Sequence, residues 1–500
     1  MCVQYITLML VVWAVTVAVG VLGETVVVGH ATLPIDHHDT SMGTYQNRYW
    51  VNDQYYRPGG PVFVHDVGES NAEHTAHRYL GDSSSYMVDF LREFHGVGIA
   101  WEHRYFGNSL PFPVNLTTPF EQFKYLTTSQ ALEDIPAFAQ TFRHPHAGLD
   151  LSPRTTPWVI IGCSYSGARA AFSRDKHPET FHAAYAASPT VEAKNNDIMY
   201  FQQVYRGMIG YGYANCTRNL REIVQYVDNQ LSSGPQNASA IKRLFFGPGA
   251  EYNTHEDFAS ALATIYSGFQ GRGMTMKNPI LPKLCDYLEH NLETGDSALA
   301  RELVLKLGSE ALTQRFASWA PLIGIINESY RTNCAGKNIS VPLSCDLSQS
   351  RYPDPALISW TWMLCSEWGT GVGPNPMPDS IVSKYIISHD GRNSVCNVQF
   401  PGAIDAGALP PQPETNQLNW ATGGRHVHPS NTFWTVGEFD PWRSVTPLSG
   451  TRTGEANATK YVLPHAEHCY DFRTTSPSAR IARKLFVHNL RVWLSEWRPM

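Results

Sequence analysis

The sequence lacks several patterns that would assign it to common functional classes. Its 500 residues have a formal net charge of −6 and contain no basic run, which argues against a nucleic-acid partner. No C-x-x-C pair occurs among its nine cysteines, so a zinc cluster is not expected. After the N-terminus, no stretch is long and apolar enough to span a membrane. We therefore expect no metal, no nucleic-acid partner and no stable membrane association of the mature chain.

Residues 1–23 form an uncharged, apolar N-terminus with small residues near its end. This pattern predicts a signal peptide removed between about Gly20 and Gly23, although no Lys or Arg precedes the apolar run. A signal anchor is the alternative, because the run approaches spanning length. Six Asn-x-Ser/Thr sequences favour export and are the predicted glycosylation sites: Asn115, Asn215, Asn237, Asn327, Asn338 and Asn457. We predict a secreted protein, with the lysosome or vacuole as the alternative.

The order of predicted strands and helices divides the mature chain into three segments. A chain of 500 residues is too long for one ordinary core. Residues 24–194 and 400–500 alternate between strand and helix patterns, which is typical of an α/β domain. Residues 45–52 and 61–65 are predicted to form a hairpin at its start. Residues 195–399 contain helical patterns without strands, and we expect them to form an inserted helical cap domain.

A serine follows a short apolar run near the middle of the first segment. Residues 159–161 are β-branched without polar alternation, which predicts a strand buried on both faces of a parallel sheet. Residues 168–172 have the pattern of a helix, so Ser164 lies on a sharp strand-to-helix turn. This is the arrangement of the nucleophile elbow of α/β-hydrolases, with Ser166 replacing the final glycine of G-x-S-x-G. A simple turn residue or helix N-cap is the alternative.

Two later residues complete a predicted catalytic set with this serine. A serine hydroxyl requires a base within hydrogen-bond reach, and the base requires an acidic partner. In α/β-hydrolases these residues occur in the order Ser, Asp or Glu, His, on loops after successive strands. Asp440 and His468 have that order and follow predicted strands at 432–436 and 461–464. His465 is the competing candidate for the base.

The same fold predicts the two backbone donors of an oxyanion hole. One is the N–H of Tyr165, directly after the serine, and the other comes from the loop after an early strand. Residues Gly68 and Glu69 are our candidates in that loop, with a surface turn as the alternative. Charged residues 102–104 also end a predicted central strand, where either an active site or a structural ion-pair network is expected.

Aromatic residues are dense near the end of the predicted cap. They could wall a substrate pocket or fill the core of the cap. The pocket candidates there and in the loop after residue 436 are Trp362, Glu367, Trp368 and Trp442.

The cysteines divide into two groups by position. Cys163 and Cys469 each lie beside a predicted catalytic residue and receive no assigned role. The other six of the mature chain lie between 216 and 396, and an even number in an oxidising compartment predicts three disulfides. Fifteen connectivities are possible. Proximity in sequence favours Cys334 with Cys345 and Cys365 with Cys396, which leaves Cys216 with Cys285.

Together these motifs resemble a family of secreted and lysosomal serine peptidases that includes Pro-X carboxypeptidase, dipeptidyl peptidase II and fungal acid prolyl endopeptidases. The resemblance covers nearly the whole mature chain. The sequence departs from the family pattern at Phe106, Val436 and Glu467. The matching stretches are residues 36–37, 43–50, 102–109, 126–134, 162–167, 436–442 and 467–471.

The resemblance implies an α/β-hydrolase domain with a helical cap, cleavage of peptides or proteins after proline, no cofactor and a possible homodimer. It supports the roles of Ser164, Asp440 and His468 one by one. An esterase or lipase with the same triad is the alternative, and a non-catalytic binding module is a third class. The sequence leaves open whether cleavage is at a chain end or internal.

Overall fold

The computed structural model describes residues 25–500 apart from 146–147, 276–278, 290–299, 339, 349, 370, 374–378, 387–394, 455, 458 and 473–475. The predicted signal peptide, residues 1–23, therefore lies outside the described residues. Among the described residues, no helix combines the length and the apolar character needed to cross a bilayer.

A single nine-stranded sheet forms the centre of the described chain, in the order β1-β2-β4-β3-β5-β6-β7-β9-β8. Neighbouring strands from β4 to β9 are parallel, and antiparallel strands close both edges. The strands are β1 (Val27–Pro34), β2 (Thr44–Asn52), β3 (Val62–Asp66), β4 (Val97–Trp101), β5 (Trp158–Cys163), β6 (Phe181–Ala187), β7 (Thr432–Gly437), β8 (Ala456–Asn457) and β9 (Lys460–Leu463).

The predicted hairpin of residues 45–52 and 61–65 is wrong. β2 pairs with β1 and β4, and β3 lies on the far side of β4 between two parallel neighbours. The physical reason is burial, because all five residues of β3 are buried. A strand that is buried on both faces belongs in the middle of a parallel sheet rather than at its edge.

Helices cover both faces of the sheet, as the unbroken apolar run of β5 predicts. Trp158 and Ile160 belong to the core on one face, and Val159 and Ile161 belong to the core on the other. The helices outside the long insertion are α1 (Ala72–Ala76), α2 (Tyr86–Phe94), α3 (Thr128–Ala139), α4 (Tyr165–Lys176) and, at the end of the chain, α16 (Pro477–Glu496). The architecture is an α/β-hydrolase fold.

Eleven helices of the described chain lie between β6 and β7, where the sequence predicts the helical cap. The helices as far as residue 330 form a hydrophobic core of their own, which residues 381–386 join, whereas residues 358–368 and 395–409 contribute to the main core on the sheet. The helices are α5 (Tyr200–Gly210), α6 (Ala214–Ser232), α7 (Pro235–Phe246), α8 (His255–Ala263), α9 (Ser267–Arg272), α10 (Ile280–Glu289), α11 (Ala300–Ala317), α12 (Ala320–Tyr330), α13 (Pro355–Met363), α14 (Val395–Gln399) and α15 (Thr415–Thr422).

Four disulfides join the eight described cysteines. Three have the pairing that proximity in sequence favours: Cys216–Cys285, Cys334–Cys345 and Cys365–Cys396. The fourth, Cys163–Cys469, joins the two cysteines for which the sequence predicts no role.

Candidate active site

Ser164 lies on the turn between β5 and α4, in a conformation that few residues adopt. Its φ is 64° and its ψ is −126°, and such a backbone conformation is costly for a residue with a side chain. Both flanking glycines are required by close packing. A Cβ atom at Gly162 would lie 2.1 Å from the Ser166 carbonyl oxygen, and one at Gly167 would lie 2.5 Å from that of Ala187. The turn is therefore the strained elbow that the sequence predicts.

Ser166, which replaces the usual glycine of the motif, stabilises this turn. Its hydroxyl donates to the Cys163 carbonyl at 2.8 Å and accepts from the Cys163 N–H at 3.0 Å. The serine closes the turn with two hydrogen bonds, so the departure from G-x-S-x-G preserves the elbow.

The other two predicted catalytic residues lie at the same edge of the sheet as Ser164. They follow β7 and β9, and β5, β6, β7 and β9 are consecutive parallel strands. Since parallel strands end at one edge of a sheet, the three loops meet there. Nδ1 of His468 lies 2.9 Å and 3.0 Å from the two carboxylate oxygens of Asp440.

This acid–base pair is buried and leaves one ring nitrogen for a further partner. Asp440 is fully buried and also accepts the N–H of Trp442 at 2.9 Å. Nε2 of His468 is buried and has no hydrogen-bond partner, so it is not bonded to the Ser164 hydroxyl. Long Ser–His separations are common without substrate, because the hydrogen bond tightens when the complex forms.

His465, the competing base, is in a different environment. Its side chain is exposed and packs against the rings of Tyr211 and Phe439. Its backbone N–H donates to Glu438 at 2.9 Å. No described carboxylate orients the ring of His465 as Asp440 orients that of His468.

The loop that follows β3 carries the two oxyanion-hole candidates, and the N–H groups of both donate to carboxylates. The Gly68 N–H donates to the carboxylate of Asp66 at 3.1 Å, so it is occupied. Asp66 is itself held by Arg169 at 3.0 Å. The neighbouring Glu69 lines the same cavity as Ser164, and burial raises the pKa of its carboxyl.

Tyr165 has its N–H in the first turn of α4, where backbone donors lack intrahelical partners. Its buried phenol lies 3.0 Å from Nε2 of His103. Burial raises the pKa of Tyr165, and burial followed by the charge of Arg169 lowers the pKa of His103, so both are neutral. This contact fixes the start of α4 beneath the elbow.

The charged residues after β4 form a structural ion-pair network, which was one of the two interpretations left open. Glu102 is fully buried and accepts from Arg48 at 2.8 and 2.9 Å, from the Ala72 N–H at 3.0 Å and from Ser109 at 2.7 Å. It thereby ties the first residue of α1, and the loop before it, to the sheet. Arg104 pairs with another buried residue, Asp134.

Two cavities adjoin the predicted catalytic residues. Ser164 opens onto one of about 520 Å³, and His468 opens onto a larger one of about 1400 Å³. Aromatic side chains wall much of the smaller cavity: Tyr165, Tyr200, Phe201, Tyr330, Trp360, Trp368 and Trp442. Two of the four predicted pocket residues, Trp368 and Trp442, line this cavity.

The other two predicted pocket residues do not line this cavity. Trp362 is buried in the main core, where its ring stacks on that of Phe123 at 4.9 Å. The carboxylate of Glu367 accepts the N–H and the hydroxyl of Thr128, each at 2.8 Å, and so caps the start of α3. The aromatic run is helical, and its cavity face repeats every four residues through Trp360, Leu364 and Trp368. That spacing in the sequence would have identified Trp360 and excluded Trp362.

A family comparison decides the class of the protein. The family model described as serine carboxypeptidase S28 matches residues 33–484. The chain belongs to the S28 family. It is a serine-type peptidase, as the motifs predict.

Several relatives of this S28 peptidase have descriptive names. Serine protease vicPb of Bipolaris victoriae is 28% identical over 437 residues, which cover 83% of this chain and 77% of the relative. Thymus-specific serine protease of Mus musculus is 24% identical over 491 residues, which cover 93% of this chain and 86% of the relative. "Probable extracellular serine carboxypeptidase" of Arthroderma benhamiae is 24% identical over 484 residues, which cover 90% of this chain and 64% of the relative.

Among solved structures, proline iminopeptidase of Mycobacterium smegmatis covers 93% of this S28 chain and 100% of its own. It is 11% identical, with a TM-score of 0.31.

The predicted glycosylation sites of this S28 peptidase differ in exposure. Asn115, Asn215, Asn237 and Asn338 are exposed. Asn327 is partly buried, and its side-chain amide donates to the Cys334 carbonyl at 3.3 Å. The side chain of Asn457 lies outside the described part of the structure. Glycosylation at all six positions stays a prediction.

Proposed function

We propose that this S28 peptidase hydrolyses peptide bonds on the carboxyl side of proline through an acyl-enzyme at Ser164. The observation that carries the proposal is the strained elbow of Ser164 at the same sheet edge as the buried Asp440–His468 pair. A poor nucleophile, a base and an orienting acid are the parts that acyl transfer requires.

The reaction follows from the order of these groups. Nε2 of His468 removes the hydroxyl proton as Ser164 Oγ attacks the carbonyl carbon of the substrate. His468 then gives that proton to the leaving nitrogen, the peptide C–N bond breaks, and an ester to Ser164 remains. Water repeats the sequence on the ester, with His468 again as base, and restores the free hydroxyl. Asp440 holds the ring by Nδ1 and stabilises the imidazolium that forms at each stage.

Negative charge on the substrate oxygen requires backbone donors. The N–H groups of Tyr165 and Glu69 are the proposed donors. The N–H of Gly68 is bonded to the buried carboxylate of Asp66, whereas that of Glu69 is bonded to its own carboxyl, which a substrate oxygen would displace. Gly68 still contributes, since its φ of 78° gives the loop a turn that other residues rarely adopt.

The preference for proline is supported by the cavity beside Ser164. A pyrrolidine ring is apolar and compact, and aromatic walls such as those of Trp368 and Trp442 suit its faces. The resemblance to proline-specific peptidases points to the same residue. Peptides or proteins are therefore the proposed substrates.

We further propose that the protein is exported. Its four disulfides are typical of an oxidising compartment, and one relative is named as extracellular. The signal peptide, the glycans and a homodimer stay predictions.

The test is mass spectrometry of the products from a peptide with one internal proline, supplied free and blocked at each end. The wild-type enzyme is expected to cut after proline, and Ser164→Ala and His468→Ala are expected to lose this activity. His465→Ala is the matched control and is expected to retain it, because that ring has no orienting acid. Turnover of esters without cleavage of any peptide would overturn the proposal.

A further inference from the structure

The disulfide between Cys163 and Cys469 joins the two halves of the proposed catalytic machinery. Cys163 directly precedes Ser164, and Cys469 directly follows His468. Their Cα atoms lie 5.8 Å apart, although 306 positions separate them in the chain. A covalent link thus connects the residue before the nucleophile to the residue after the base.

The link lies against the base itself. A ring nitrogen of His468 and the two sulfur atoms all lie within 4.8 Å of one another. Because Ser164 and His468 are the immediate chain neighbours of these two cysteines, a change in the separation of residues 163 and 469 also shifts Ser164 relative to His468.

Both ends of the link are also fixed to the end of β6. The Ser164 N–H donates to the Ala187 carbonyl at 3.0 Å, and the Cys469 N–H donates to the Ser188 hydroxyl at 3.1 Å. Cys469 has a φ of 55°, so its backbone is held in a conformation that non-glycine residues seldom adopt. The disulfide therefore links the elbow directly to the histidine loop, and the two hydrogen bonds attach each of these segments to the end of β6; we call this set of three links the frame.

No hydrogen bond joins Ser164 to His468 within this frame. Asp440 orients the ring of His468 through Nδ1, but Nε2 has no partner. The hydrogen bond to Asp440 fixes the ring relative to the loop after β7, not relative to the elbow. The distance between nucleophile and base therefore depends on the connection between their two chain segments.

We propose that the Cys163–Cys469 disulfide is a positioning element that sets the distance between Ser164 and His468, so that opening it slows catalysis. This inference rests on the proposed function. Displacement of a catalytic group by about 1 Å costs on the order of 100-fold in rate. The expected effect of opening the disulfide is therefore a lower kcat with little change in KM.

This disulfide also differs from the other three in accessibility. Cys163 and Cys469 are partly exposed, and Cys469 lines the larger cavity. The six remaining cysteines are buried: Cys216, Cys285, Cys334, Cys345, Cys365 and Cys396. A small dithiol reductant therefore reaches Cys163–Cys469 first. Dithiothreitol supplies two electrons, becomes its cyclic disulfide and leaves two thiols at positions 163 and 469.

The first experiment treats the native enzyme with dithiothreitol, alkylates the released thiols with iodoacetamide and identifies them by mass spectrometry. Endpoint titration with a fluorophosphonate counts the competent serines, and kcat is expressed per titrated serine. Enzyme alkylated only at positions 163 and 469 is expected to show a kcat about 10- to 100-fold lower, with KM within about twofold. Reoxidation before alkylation is expected to restore kcat.

The second experiment compares two double variants. Cys163→Ala/Cys469→Ala is expected to lose kcat as the reduced enzyme does, and to react more slowly with the fluorophosphonate. Cys216→Ala/Cys285→Ala removes a buried disulfide between α6 and α10 and is the matched control. Its stability is expected to fall while kcat per titrated serine stays at the wild-type value.

The outcomes separate the inference from the function on which it rests. Unchanged kcat per titrated serine, in either the reduced enzyme or the Cys163→Ala/Cys469→Ala variant, overturns the positioning role. Retained activity in Ser164→Ala overturns the proposed function instead. If the double variant does not fold, the reduction experiment on native enzyme decides the result.

Discussion

Substitution of Asp134 by asparagine is expected to destabilise the protein in a pH-dependent way. The Asp134 carboxylate is almost fully buried and bonds to Arg104 at 2.6 and 2.8 Å and to His37 at 2.8 Å. Asparagine keeps the shape of the side chain but removes its charge. It leaves the Arg104 guanidinium buried without its counter-ion, a loss that typically costs about 3–5 kcal/mol.

The pKa of Asp134 gives the pH range in which this effect fades. Burial raises the pKa of the carboxyl, but the charge and hydrogen bonds of Arg104 lower it further, from 3.8 to about 2. A pKa lowered in the folded state stabilises the protein above the unfolded value and loses that contribution as the pH falls through the folded value. At about 1.4 kcal/mol per pKa unit, the full contribution is about 2–3 kcal/mol.

Urea unfolding followed by tryptophan fluorescence would measure the difference between wild type and Asp134→Asn. We expect about 3–5 kcal/mol at pH 6, narrowing by about 1–2 kcal/mol at pH 2.5, because Asp134 of the unfolded wild-type chain gains its proton there while the folded carboxyl is still mostly ionised. Glu133→Gln is the control on the same helix. Its carboxylate is partly exposed and pairs with His177, so a change below about 1 kcal/mol is expected. An equal difference at both pH values would refute the reasoning.

Three further substitutions test the site. Asp440→Asn is expected to lower kcat by about 10⁴, since the histidine loses the partner that fixes its tautomer; steady-state kinetics showing less than a tenfold loss would contradict this role. Trp442→Ala is expected to reduce kcat/KM for proline peptides by about 10- to 100-fold, because a wall of the smaller cavity is lost; an unchanged ratio of proline to alanine substrates would count against the pocket. Glu367→Gln is expected to lower the melting temperature, because it weakens the hydrogen bonds to Thr128 at the start of α3, and to leave kcat/KM unchanged. An altered proline preference with an unchanged melting temperature would instead indicate that Glu367 contacts the substrate.

The parts of the fold that the sequence could predict are those with a local pattern. The apolar run of residues 159–161 is enough to predict a buried central strand, and the small residues after it predict the elbow at Ser164. Asp440 and His468 could be proposed because each directly follows a strand in the order that this fold requires. Helical spacing and the absence of strands likewise indicate a helical insertion.

The parts that could not be predicted depend on contacts between distant segments. β2 and β3 are close in sequence, but β2 pairs with β1 on one side and with β4 on the other. The pairing of Cys163 with Cys469 has no local signal, because only the assembled sheet brings the two loops together. The hydrogen bond from the Gly68 N–H to the Asp66 carboxylate likewise depends on the conformation of the loop, which the sequence pattern does not specify.

The long insertion between β6 and β7 has a consequence for the order of events during synthesis. β7 begins 245 residues after the end of β6, so at about 5–20 residues per second the ribosome needs roughly 12–50 s to supply it. During that interval the nascent chain carries its serine but neither Asp440 nor His468. The proposed catalytic triad is thus incomplete until the last part of the chain emerges. Over the same period Cys163 has no Cys469 with which to pair, while all six cysteines of the insertion are synthesised. Rapid pairing of those six with one another therefore leaves Cys163 available for Cys469.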